Sequence, residues 1–322
     1  MLYTALLAAL LLAIIVLSVR TGGIDVSFRK LFMGIFITPD EEVNIIFDLR
    51  FPRICISFLA GAALAVSGVL LQCVMKNALA DPGIIGISAG ANFTSAIVVA
   101  FFPSLYFYSP IFAFVGGIIA CGLVYLLAWN TQLDPLRIIL VGITLSAVFA
   151  SLYQAINYIS GATTATNVRL MSETTLKTWE DVGTTVLYVI IGITAAIFIS
   201  GKCNLMSLED KTVTSLGVNV TKLRIIISAI AVLLASVATA SVGTISFLAL
   251  IVPHISRRLV GSNHRYLIPF SALLGATAML GADMLGRSIL YPYEIPPSII
   301  MAIIGGPLFI FLLKRGGKIN GN

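Results

Sequence analysis

The chain alternates long apolar runs with short polar breaks along its whole length. Ten apolar segments can be drawn, roughly at 2–19, 54–75, 84–103, 109–129, 136–158, 183–200, 223–242, 244–260, 267–289 and 296–313. Uninterrupted runs of about 18 or more apolar residues predict helices that cross a bilayer. The eighth segment is the weakest. "GTISFLALIVPHIS" is short and carries Pro253, so it predicts a half-span or a re-entrant piece. The first, "LYTALLAALLLAIIVLSV", has no basic start and no A-x-A-like cleavage site. It therefore reads as a retained span, not a signal peptide. The polar breaks at 20–50, 160–182 and 201–222 are too short to hold a core of their own. A single transmembrane domain over 1–322 is the expectation.

Composition agrees with the pattern. Hydrophobic residues make up 58% of the chain and charged residues 11%, which is too little polar surface to coat a soluble globule of this size. The net charge of +6 would suggest nucleic acid in a soluble protein. Here the basic residues fall in short loops between spans, so they report orientation and nucleic acid is not an expected partner. With both termini on one side, twelve of the 20 Lys and Arg fall on that side and eight on the other. That bias predicts cytoplasmic termini. Cys55, Cys73, Cys121 and Cys203 form no CxxC pair and lie in or beside apolar runs, where small-hydrophobe packing is expected.

On this map "DLRFPR" (48–53) lies outside, and its two arginines run against the basic bias. That raises the question of what Arg50 and Arg53 bind. Small residues at Gly61, Ala65 and Gly68, and at Gly83, Gly86 and Gly90, predict close helix contacts. "MKNALADPG" reads as a turn between two spans. "SLEDKTVTSLGVNVTKLR" (207–224) predicts a short amphipathic helix, with Leu208, Val213 and Leu216 on one side and Gly217 as its stop. Such a stripe suits a partner's groove or the protein's own interface. His254 and His264 have no acidic or cysteine ligand nearby, and no metal site is expected. Asp283 is the one carboxylate inside a span, and Arg287, four residues on, predicts an ion pair on one helix face. The run after Arg53 echoes the run after Arg224. The second and seventh spans would cross in opposite directions, as in a weak inverted repeat. No Walker loop, zinc-hydrolase motif or nucleophile elbow is present, so the chain reads as a transport subunit and not an enzyme.

Several stretches together resemble a known family. They are "LRFPR", "GAALAVSGVLLQ", "KNALADPGIIGISAGA", "ILVGITLS", "SLGVNV", "LIVPHISRRLVGSNHRYLIPFSALLGA", "ADMLGR" and "EIP…IGGPLFIFLLKR". In this order they are similar to FecCD-type permeases of ABC importers for iron-siderophore, heme or vitamin B12. The resemblance implies an all-α polytopic protein of about ten spans with the type II ABC importer permease fold. It implies translocation of an iron chelate, siderophore or heme; a vitamin B12 permease is the alternative within the family, and an ion-driven secondary transporter the alternative outside it. The partners implied are a second permease subunit in a homodimer or heterodimer, two cytoplasmic ATPase subunits and an external substrate-binding protein. ATP is used by the ATPase partners, and no cofactor is expected on this chain. The resemblance also assigns positions. Arg50, Arg53 and Arg287 match outward arginines that receive acidic residues of the binding protein. Leu208, Leu216 and Gly217 match the loop that sits on the ATPase. Asn77, Leu79, Pro135 and Leu136 match the cytoplasmic gate, and the fifth and tenth spans line the pathway. Two departures stand out: "NALADP" has Ala78 where proline is common, and "LEDKTVTSLG" lacks the usual early glycine.

Overall fold

The structure is a computed structural model that describes residues 2–21, 30, 33, 40–128, 135–159, 177–291 and 293–316. These residues form α1 (Leu2–Arg20), α2 (Glu41–Met75), α3 (Ile87–Phe101), α4 (Ser109–Ala128), α5 (Pro135–Ile159), α6 (Trp179–Met206), α7 (Asp210–Ser215), α8 (Val220–Val242), α9 (Leu248–Val260), α10 (His264–Ile289) and α11 (Pro297–Gly316), with a 3₁₀ turn at Pro103–Tyr108. Among the described residues seven helices are long and apolar enough to cross a membrane. The other three expected segments are α3 and α9, which are shorter, and α11. Some charges behind the orientation argument, including Asp25, Arg29, Arg169 and Lys318, lie outside the described residues.

α2 is the central post. Apolar patterning starts it near residue 54, but it begins at Glu41. Asp40 caps it by accepting from the backbone N–H of Glu42 (3.0 Å) and Val43 (3.3 Å). Glu41 and Glu42 add negative charge to the first turn, which suits the helix dipole. Val43 and Ile46 then bury against Leu11 and Val19 of α1 and Leu280 of α10. At 1.5 Å per residue, α2 is about 52 Å long, against roughly 30 Å of hydrocarbon. Its first turns therefore project beyond the apolar layer, with Pro52 inside the helix and not at its start.

The rest of α2 is buried by α6, α8, α9 and α10. The expected small-residue contacts are present. Gly61 meets the backbone of Gly275 on α10, Gly68 meets the backbone of Ala249 on α9, and Gly90 of α3 meets Gly116 of α4. A side chain at any of these would overlap main chain, which cannot yield as a flexible side chain would. α2 and α8 run in opposite directions, as the sequence echo suggests. Ser67 Oγ donates to the Ala231 carbonyl at 2.7 Å, while Lys76 and Arg224 meet farther along on one carboxylate.

α9 is the half-span. An extended segment leads to Phe247, whose φ of 66° turns the chain into the helix. Thirteen residues cover about 20 Å. The helix starts level with Gly68, well inside α2, and ends where Arg257 donates to Gln72 Oε1 at 2.5 Å. Two charged networks thus sit at opposite ends of the bundle, one around Arg53 and one around Asp210.

Candidate functional site

The first network joins α1, α2, α10 and the loop before α11. Arg53 Nε donates to Asp283 Oδ1 at 2.9 Å, and its NH1 donates to Glu294 Oε2 at 2.6 Å. Arg287 lies on the other side of Asp283, with Nε 3.2 Å from Oδ2. It also donates to the carbonyls of Ser18 (3.3 Å) and Thr21 (3.0 Å) and to Ser18 Oγ. Arg50 donates to the Val19 carbonyl at 2.8 Å. The expected Asp283–Arg287 pair is therefore present, and Arg53 completes it from another helix.

The three arginines come together at one end of the bundle, but they are not equally outward. Arg50 is half-buried, whereas Arg53 and Arg287 are each only 5% exposed. Their direction is a correction to the outward placement. Asp283 is completely buried, and a lone carboxylate there would be prohibitively desolvated, so two guanidiniums turn in to meet it. Glu294, in the loop after α10, holds the remaining face of Arg53.

The second network anchors the short helix α7. Asp210 pairs with Lys76 at the end of α2 and with Arg224 at the start of α8, both at 2.9 Å. Lys76 also donates to the Leu208 carbonyl at 2.5 Å. Partial burial opposes ionisation of Asp210. The Lys76 hydrogen bond and the Arg224 charge outweigh it and hold the carboxyl below the usual carboxylate range. The expected stripe splits. Val213 is fully buried, while Leu208 is 41% and Leu216 60% exposed, so the three do not share a face. The reason is length: α7 has six residues, under two turns, and the flanking leucines lie outside it. Gly217, with φ of 80°, ends the turn as expected.

The turn between α2 and α3 lies at the same end. Lys76 is left-handed, with φ of 47°, and closes α2. Asn77 Oδ1 accepts from the Leu79 N–H at 2.9 Å, and Leu79 is 38% exposed. Asp81 Oδ1 accepts from the N–H of Gly83 (2.7 Å) and Ile84 (3.3 Å). Burial pushes the Asp81 carboxyl up to about 6 despite those bonds. Ser146 of α5 donates to the Gly83 carbonyl at 3.0 Å, which ties α5 to the turn. Pro135 and Leu136 open α5, and their side chains lie outside the described residues.

Sequence reasoning missed Glu294, Asp210, Lys76 and Arg224 as network members. The only signal was that Lys76, Arg224 and Glu294 are charges at or beside a span end, while Asp210 lies in the polar break at 201–222. His264 has a local structural part: its Nδ1 is 2.8 Å from Asn204 Oδ1, which also accepts the His264 backbone N–H. No His, Cys, Asp and Glu cluster that could hold a metal occurs among the described residues.

Comparison with known proteins follows this geometry. The FecCD transport family matches residues 10–315. IsdF of Staphylococcus aureus (strain Newman), named as a heme-iron transport system permease protein, is 39% identical over 312 residues, covering 97% of this chain and 95% of that protein. The counterpart from the bovine strain RF122 / ET3-1 is equally similar. A solved inward-facing metal-chelate type ABC transporter matches with a TM-score of 0.80 and 32% identity, covering 96% of this chain and 97% of its own. PsaBC from Streptococcus pneumoniae, solved with a Fab, matches with a TM-score of 0.61 at 14% identity over 88% of this chain and 95% of its own. That last likeness concerns the fold alone.

Proposed function

We propose a delivery, gating and coupling scheme for this chain, which belongs to the FecCD transport family. The chain is the membrane-spanning subunit of an ABC importer that moves an iron chelate, with heme the favoured cargo given its likeness to IsdF. The observation that carries the scheme is the opposition of its two ends. One gathers Arg50, Arg53 and Arg287; the other holds an anchored loop that exposes Leu208 and Leu216.

The Asp210 end faces the cytoplasm, in keeping with the basic bias of the loops. There Leu208 and Leu216 insert into a groove of a separate ATPase subunit, and Gly217 sets the angle of the loop. Asp210 holds α7 to both α2 and α8, so a push on the loop is delivered to two antiparallel spans together. Asn77, Leu79, Pro135 and Leu136 close the pathway on this side, and a second permease subunit completes it. At the other end an external binding protein docks with acidic residues. Arg50 receives one directly. For Arg53, an incoming carboxylate competes with Glu294. The permease contributes a path and two docking faces, and ATP chemistry stays in the partner.

The test is reconstitution in proteoliposomes with the ATPase and the binding protein. ATP-dependent uptake of heme is expected. Full uptake from an ion gradient alone, without ATP, would overturn the scheme. Arg50→Glu is expected to weaken docking, more at low salt than at high.

A further inference from the structure

One cavity with no assigned role borders the Asp210 network through Arg224. A groove of ≈ 490 Å³ runs between α4 and α8, lined by Ile118, Gly122 and Tyr125 on one wall and Thr221, Arg224 and Ile225 on the other. Its size falls within the roughly 300–1,000 Å³ of small-molecule sites. Ile118 is 44% and Ile225 64% exposed, so the groove opens on the outer flank of the bundle. A side chain built at Gly122 would meet nothing within 4 Å, which marks that stretch of wall as open space.

The lining is polarised along its length. Thr221 and Arg224 come from the start of α8, and Tyr125 from the last turns of α4, so the polar groups collect at the Asp210 end. Tyr125 pairs there with Ser228 at 3.0 Å. Away from that end the walls are aliphatic. Arg224 gives its NH2 to Asp210, but its Nε is buried and has no hydrogen-bond partner among the described residues. The Arg224 side chain as a whole keeps 24% of its surface, so the open edge of its guanidinium can still meet a ligand oxygen. The charge also asks for an anion. Asp210 is shared by two cations, Lys76 and Arg224, which leaves one positive charge over. The positive end of α8 faces the same place.

We propose that this groove binds one anionic glycerophospholipid. One acyl chain lies along Ile118, Gly122 and Val232, and a phosphate oxygen accepts from the open edge of the Arg224 guanidinium and from the Thr221 hydroxyl. A hydrocarbon tail joined to a single anionic head, at the end of a membrane span, is the chemistry that fits both halves of the lining. The lipid and Asp210 use different nitrogens of one guanidinium. Occupancy therefore fixes the side chain that anchors α7. This inference stands independently of the cargo and of the transport scheme.

The test places the whole permease in phosphatidylcholine nanodiscs doped with a phosphatidylglycerol that carries a diazirine on one acyl chain. On illumination, crosslinks are expected on 118–125 and 221–232. Unlabelled phosphatidylglycerol should compete; diacylglycerol, which has no phosphate, and glycerol phosphate, which has no tail, should not. Arg224→Gln should weaken competition by about tenfold, the loss expected for a charge-assisted hydrogen bond. Gly122→Leu should remove the crosslink while thermal unfolding stays unchanged. Ile225→Trp, at an exposed position, fills the groove from the other wall should Gly122→Leu fail to fold. Three results would overturn the proposal: crosslinks spread evenly over the outer helices, equal competition by diacylglycerol, or full crosslinking in both groove-filling variants. Loss of a dimer in those variants, with lipid labelling unchanged, would assign the groove to a second copy instead.

Discussion

Each end of the bundle places one aspartate between two cations. At the Arg53 end Asp283 is fully buried, and the side chains of Arg53 and Arg287 are 7% and 5% exposed. At the other end 47% of the Asp210 side chain is exposed, with 34% of Lys76 and 24% of Arg224. The charge arrangement is the same and the surroundings differ. In the buried network each charge depends on its partners, because water cannot replace them. In the exposed network water and salt can replace any partner at small cost. The first therefore suits a clamp that joins α1, α2 and α10, and the second suits an anchor that can open while the bundle stays intact.

The largest expected effect breaks the buried network. Asp283→Asn keeps the shape and leaves two guanidiniums facing each other, at a cost of about 3–5 kcal/mol, read by thermal unfolding in detergent. A loss below about 1 kcal/mol would mean that water reaches the cluster. Arg53→Gln comes next, at about 1.5–3 kcal/mol, because Asp283 keeps Arg287. At the exposed end Asp210→Asn should cost no more than about 1 kcal/mol yet lower the uptake obtained per ATP hydrolysed. Equal losses in Asp210→Asn and Asp283→Asn would erase the distinction between the ends.

A pH-dependent effect separates two carboxyls at the same end. The folded value of Asp81 is raised to about 6, above the ordinary aspartate value of about 3.9. The folded protein therefore takes up a proton that the unfolded chain does not. Stability should rise as pH falls from about 7 toward 4, and that gain should be lost again as pH rises through about 6. Asp210 is shifted the other way, so its contribution is intact across that window and is lost only at lower pH, as the carboxyl protonates. Hydrogen exchange in residues 77–86 should thus slow on mild acidification, while residues 208–217 stay unchanged. Asp81→Asn should remove the response, and a parallel change in both segments would assign it elsewhere.

Much of the architecture was legible in the sequence, for identifiable reasons. The spans follow from uninterrupted apolar length. The half-span at α9 followed from a short run broken by Pro253, and the Asp283–Arg287 pair from four-residue spacing on one helix. The early start of α2 was hidden because residues 41–51 mix charges with apolar side chains, and only packing on α1 shows that Val43 and Ile46 are core. The leucine stripe misled because six helical residues are too few to define a face. The arginine cluster was legible as a set of positions. Its inward turn was not, since it depends on a carboxylate 230 residues from Arg53.

The sequence by itself determined what lies within one helix: which runs span, where they stop, which glycines allow close approach and which charges share a face. These depend on local periodicity and composition, which are written contiguously. Only the tertiary structure decided how the charges are shared between helices. It put Asp283 in a dry cluster and Asp210 in a wet one, and it opened a groove beside Gly122. Those outcomes depend on the register and approach of helices far apart in the chain. The same arginine is a clamp or a docking group according to how much water reaches it.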